Sequence, residues 1–193
     1  MTTSYPKKAP FALKVVFLIF CVSLVIIFIL LKTPTSSVSG QDLYNHPSEL
    51  IEKLSESGIG KVSDWKEVDQ NEWGAFSNYM EFGNKSRINR MRNNICYYLT
   101  GDSLSVKIIN LSMNINNLEE QDNALKFFHG IYIKTICALK LKNGKGVEEA
   151  ILNCEDYMLE LSGITIKVKT ADFKNNDNGK TVEIAFVKSV QTR

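Results

Sequence analysis

"ITIKVK", Ile164 to Lys169, and "TVEIAFV", Thr181 to Val187, are two strict apolar–polar alternations separated by "KNNDNGK", Lys174 to Lys180. A period of two is a strand signal, and Asn178-Gly179 between the runs is a strong hairpin-turn signal. The pair therefore predicts an antiparallel hairpin, and the rest of the chain has to supply what covers its apolar face.

Immediately upstream, "VEEAILNCEDYMLELSG", Val147 to Gly163, reads as an amphipathic helix ended by Gly163. Val147, Ala150, Ile151, Cys154, Met158 and Leu161 fall inward, while Glu148, Glu149, Glu155, Asp156 and Glu160 fall outward. Before the "KNGKG" turn, Asn117 and Glu120 have capping-box spacing, and Leu118, Leu125, Phe128, Tyr132, Ile136 and Leu139 form the stripe of a second helix.

Further back the period is two again. "AFSNYMEF" and "NICYYLT" are short strand patterns, and "SLSVKIINLSMNI" is a longer one. In the longer run the parity of Leu104, Val106 and Ile108 differs from that of Ile109, Leu111, Met113 and Ile115, which implies a bulge or bend near Ile108 and Ile109. "HPSELIEKLSESGIG" gives a first helix, with Ser48 as N-cap, Leu50, Ile51 and Leu54 on one face, and a stop at Gly58 before Ile59. The segment between, "KVSDWKEVDQNEWGAF", reads as irregular, with Trp65 and Trp73 in a small cluster beneath a loop. The expected order is α-β-β-β-α-α-β-β, an α+β domain of about five antiparallel strands with helices on one face.

At the N-terminus, Val15 to Leu31 is apolar except for Ser23, and extended back through Phe11 the run reaches the length of a membrane-spanning helix, about 20 residues. A secretory core is shorter and ends at a small-residue site. "SVSG", Ser37 to Gly40, offers a passable site, but the length favours a retained signal-anchor. Lys7, Lys8 and Lys14 precede the span and only Lys32 follows it closely, so residues 1–10 are expected in the cytoplasm and the remainder outside it. The chain divides into a tail at 1–10, a transmembrane signal-anchor at 11–31 in the lipid bilayer, a flexible tether at 32–41 and an exported domain at 42–193. The expected location is the cell inner membrane, with the domain periplasmic in a Gram-negative host.

The net charge of +2 does not describe the exported part. Four lysines and no acid lie in the first 40 residues, so 19 of the 23 basic side chains face 21 acids in residues 41–193. A balance near −2 with interspersed signs argues against a nucleic-acid partner.

Motifs for chemistry are few. The two histidines, His46 and His129, belong to no GxSxG, HExxH or SxxK pattern. "SGIGK", Ser57 to Lys61, fails as a phosphate loop and reads as a helix stop, and "NNDNG", Asn175 to Gly179, lacks the glutamate that a calcium loop needs. No cofactor or metal site is expected. Cys137 and Cys154, on consecutive helices in this reading, are the disulfide candidates, and such a bridge contributes on the order of 3 kcal/mol. The alternative is that they and Cys96 are separate thiols.

"NKSRINRMRNN" concentrates Lys85, Arg87, Arg90 and Arg92 without an acid. Those residues are candidates for docking an anion or an acidic partner, since guanidinium pairs bidentately with carboxylate and phosphate; a solubilising loop is the plainer account. The leading expectation is a single-pass envelope protein whose domain binds another envelope protein without catalysis, either as an accessory subunit of a complex or as an immunity or inhibitor protein. The competing one is an envelope hydrolase or transferase using carboxylates and arginine in a cleft.

Overall fold

The computed structural model describes residues 40–88, 90–173 and 179–189. The tail, the anchor at 11–31 and nearly all of the tether lie outside the described residues; among those described, no helix is long and apolar enough to cross a membrane. The elements in chain order are α1 (Gly40–Leu43), α2 (Pro47–Ser55), β1 (Lys66–Asp69), β2 (Glu72–Phe76), β3 (Met80–Phe82), β4 (Asn93–Gly101), β5 (Val106–Ile115), a 3-10 turn (Leu118–Glu120), α3 (Gln121–Ala138), α4 (Lys145–Asn153), β6 (Tyr157–Leu161), β7 (Ile164–Asp172) and β8 (Lys180–Lys188).

The alternating runs pair as read. β7 and β8 run antiparallel from Ile164 opposite Lys188 to Asp172 opposite Lys180. The Phe173 amide donates to the Gly179 carbonyl at 2.9 Å, and the turn tip with Asn178 lies outside the described residues. Ile164, Ile166 and Val168 on β7 and Val182, Ile184 and Phe186 on β8 are all buried, because a strand's alternate side chains share one face. β8 then pairs with β5, and β5 with β4, so the chain returns to a strand formed long before it.

The bend expected in β5 is present, between Val106 and Ile108. Thr100 faces Ile108 while Gly101 faces Val106, leaving Lys107 extra and moving the inward parity onto Ile109, Leu111, Met113 and Ile115. Gly101 is required there, since a Cβ would fall on the Ser105 carbonyl. The turn is fastened by Asp102, whose Oδ1 accepts from the Leu104 and Ser105 amides at 2.9 and 2.8 Å.

The sheet has eight strands rather than five, in the order β1-β2-β4-β5-β8-β7-β6 with β3 beside β4. Two segments account for the difference. Residues 61–76, read as irregular, hold the β1–β2 hairpin, whose turn places Asn71 at φ 61°. The helix read over residues 147–163 ends at Asn153. Cys154 takes a left-handed conformation, φ 56°, and the Glu155 amide closes back on the Ala150 carbonyl at 2.9 Å, so the helix is capped there. Tyr157–Leu161 is strand β6, and Gly163 belongs to the two-residue β6–β7 turn, not to a helix end.

The inward face is covered by α2, α3 and α4, which bury Leu50, Ile51 and Leu54, then Leu125, Phe128, Tyr132 and Ile136, then Val147, Ala150 and Ile151. Leu118, read on the α3 stripe, is exposed on the 3-10 turn instead. Burying a side chain such as Phe128 contributes about 2–3 kcal/mol. Tyr132 stacks on Phe186 with ring centroids 6.3 Å apart, which seats α3 over the centre of the sheet. α2 begins at Pro47 with His46 in the cap position, two residues ahead of the expected Ser48 cap, because proline's fixed φ suits the first helical position.

Candidate functional site

β2 and β3 lie end to end along one edge of β4, and the break between them builds the site. Phe76 faces Tyr98 and Met80 faces Ile95, so Ser77, Asn78 and Tyr79 stand opposite only Cys96 and Tyr97. One residue too many makes a bulge. Ser77 ties it down twice, its amide donating to the Tyr97 carbonyl at 3.0 Å and its Oγ accepting from the Tyr97 amide at 2.9 Å. Ser77 is thereby buried, and Tyr79 turns outward beside Cys96, 66% exposed.

Around this bulge a groove of about 360 Å³ opens on the face away from the helices. Phe76, Tyr79 and Tyr98 form an aromatic rim, and Cys96, Asn110, Ser112 and Glu183 form a polar floor. The floor follows from register. Cys96 faces Ser112, Ser112 faces Glu183 and Glu183 faces Lys169, so one row across four strands carries outward polar groups. The neighbouring row is closed on itself: Asn114 Nδ2 donates to Asn94 Oδ1 at 3.0 Å, and Thr181 Oγ1 donates to Asn114 Oδ1 at 2.9 Å. A hollow of about 340 Å³ lies on the other side of Phe76, where Lys66 Nζ stands 6.0 Å from the ring centroid.

Cys96 and Tyr79, side by side in the groove, both hold their protons near neutral pH. Burial pushes the Cys96 thiol up and the Glu183 carboxylate adds to this, while the hydrogen bond with Tyr79 partly offsets both. Tyr79 is raised chiefly by the charge a Cys96 thiolate would carry, then by burial and by that hydrogen bond. Cys96 is therefore a thiol near neutral pH, the opposite of what a cysteine nucleophile requires. What the groove offers is donors and acceptors between aromatic faces.

The candidates read from sequence lie elsewhere. Lys85, Arg87, Arg90 and Arg92 all stand exposed on the segment joining β3 to β4. That segment is pinned from beneath: Ser86 is buried, its amide donates to the Met91 carbonyl at 2.8 Å, and the Asn84 amide donates to Glu120 Oε2 at 2.8 Å. Arg87 Nε lies 3.8 Å from Glu119 Oε2, a solvent-exposed pair worth little in stability. The four cations form a rim of charge along that segment.

Cys137 and Cys154 are not joined; both are free thiols, as is Cys96. Cys137 is exposed late in α3, whereas Cys154 caps α4 and packs against the core. The two consecutive helices expected to carry them are present as α3 and α4, with Cys154 at the C-terminal cap of α4 rather than within it. His129 Nε2 meets Glu148 Oε2 at 3.1 Å, and Asn143 hydrogen-bonds the other carboxylate oxygen, so this histidine links α3 to α4. Among the described residues, no group of three or more His, Cys, Asp or Glu is placed to hold a metal ion.

Comparison with protein-family models, with curated proteins and with solved structures finds no match.

Proposed function

We propose that the chain is a single-pass envelope protein, anchored through residues 11–31, whose domain is a non-enzymatic module that binds a segment of a protein partner on its open sheet face. The observation that carries this reading is the groove at the β2–β3 bulge. Exposed aromatic side chains beside a hydrogen-bonding floor are the composition of a protein-recognition surface, because aromatic rings supply large contact area at small entropic cost. The protonated Cys96 and Tyr79 suit hydrogen bonding rather than attack on a substrate. The exposed cations from Lys85 to Arg92 add a means of steering an acidic partner toward the domain, an effect that acts mainly on association rate.

A photocrosslinking amino acid placed at Tyr79 or Tyr98 of the full-length chain, in its native membrane, tests the reading. A discrete protein adduct is expected from both positions. It should be absent from a control at Lys145, whose side chain is 91% exposed on α4. Adducts of equal yield from all three positions, or from none, would overturn it.

A further inference from the structure

The two ends of the sheet are built differently. β1 ends it with four residues, Lys66-Glu67-Val68-Asp69, all exposed, three of them charged, with a register irregularity between Glu67 and Asp69. Charge, shortness and irregularity are the ordinary means of discouraging a further strand. β6 ends the sheet with Tyr157-Met158-Leu159-Glu160-Leu161, in continuous register with β7 and carrying one charge. Met158 is 67% exposed and Tyr157 is 38% exposed. Among the described residues its only strand neighbour is β7.

The β6–β7 turn fixes which backbone groups of β6 are open. Ser162 and Gly163 form a two-residue turn with φ of 51° and 73°, so Leu161 and Ile164 are its closing hydrogen-bonded pair. Antiparallel pairs alternate in type, so Leu159 with Ile166 and Tyr157 with Val168 are hydrogen-bonded as well. The amides and carbonyls of Met158 and Glu160 consequently point off the sheet.

We propose that β6 pairs antiparallel with β6 of a second copy of this chain, about a two-fold axis at Leu159. In that register Met158 faces the partner copy's Glu160, and each pair meets with its outward backbone groups, giving two pairs of hydrogen bonds. On the inward face Leu159 meets its own equivalent, with Tyr157 beside the other copy's Leu161, which prolongs the apolar face of the sheet. On the outward face the hollow of about 400 Å³ beside Met158 is flanked by Lys167 and Lys169. The incoming Glu160 lands next to these cations. A strand whose open groups and charges are complementary to its own reversed copy makes an isologous contact, and such contacts close as dimers.

The test uses the full-length chain in mild detergent. Its protein mass by light scattering is expected to be that of two chains. Met158→Pro removes one outward amide per chain and leaves the β6–β7 ladder intact, since proline is tolerated on an edge strand whose amide faces away. With two bonds lost per dimer, dimerisation should weaken by about 30-fold while the circular dichroism spectrum is unchanged. A second variant alters no backbone group: Leu159→Cys should give, on mild oxidation, a peptide linking position 159 to position 159 of the other copy, and Met158→Cys should give far less. A monomer throughout, or a dimer without the 159–159 link, would overturn the proposal, and this holds even if Met158→Pro fails to fold.

Discussion

At the scale of single residues, Tyr97 and Asp102 show how β4 is fixed at its middle and at its end. Tyr97 Oη is fully buried, donates to Ser57 Oγ at 3.0 Å and shares a 2.5 Å hydrogen bond with Thr135 Oγ1. One hydroxyl thus ties β4 to α3 and to the turn after α2, deep in the core. Tyr97→Phe leaves two buried hydroxyls short of a partner, although Thr135 keeps its 2.8 Å bond to the Ile131 carbonyl. The expected loss is about 1–3 kcal/mol, read as a lower urea midpoint at constant slope. The double variant Tyr97→Phe/Thr135→Val should lose less than the two single losses combined, because the coupling between them vanishes once. Simple additivity would show that the three hydroxyls do not act as a unit.

Asp102 is half-exposed, yet its carboxyl is held well below 3.8, at about 2, first by Lys107 Nζ at 2.9 Å and then by the amides of Leu104 and Ser105. The fold favours its ionised form. Its stabilising effect is therefore complete above pH 3.8 and is lost as the pH falls toward about 2. Urea midpoints measured down through this window should fall more steeply for the wild type than for Asp102→Asn, which starts less stable. Parallel acid limbs would remove Asp102 from the account.

At the scale of elements, the β6–β7 hairpin carries a correctable strain. Its turn needs positive φ at both central residues, and Ser162 supplies one of them at 51° despite having a Cβ. Asn adopts this conformation more readily, so Ser162→Asn should stabilise the domain by about 0.5 kcal/mol, measured as a higher urea midpoint. A lower midpoint would show that the exposed Ser162 side chain makes a contact worth more than the strain. The same hairpin shows why β6 was illegible in the sequence. Met158 and Leu161 continue the i, i+3, i+4 spacing of Val147, Ala150 and Ile151 by coincidence, and five residues are too few to assert a period of two. What separates helix from strand there is the left-handed Cys154, a conformation that a cysteine does not advertise. β1 escaped notice for another reason. Lys66 to Asp69 is exposed along its whole length, so no apolar alternation exists to be read. β7 and β8 were legible because each buries three alternate apolar side chains in a row.

At the scale of the whole molecule, the groove could not be read from the chain because its parts come from β2, β4, β5 and β8, and only the return of β8 to β5 brings Glu183 across from Ser112. The basic cluster was conspicuous in the sequence for the opposite reason: it is contiguous, and contiguity is independent of fold. The proposed place of the domain rests on a contiguous feature too, the apolar run from Val15 to Leu31 with Lys7, Lys8 and Lys14 ahead of it. Charge on the short flank sets orientation because lysine is retained on the cytoplasmic side during insertion. A full-length chain bearing a C-terminal tag should therefore sediment with membranes at full-length mass, and protease added outside the cytoplasmic membrane should remove the tag. Replacing Lys7, Lys8 and Lys14 with glutamine while adding lysines after Lys32 should protect a fraction of the tag. Loss of about the first 40 residues from the mature chain would make the run an export signal instead. A wild-type tag protected from outside would place the groove and the β6 edge on the cytoplasmic side, where any partner would have to be sought.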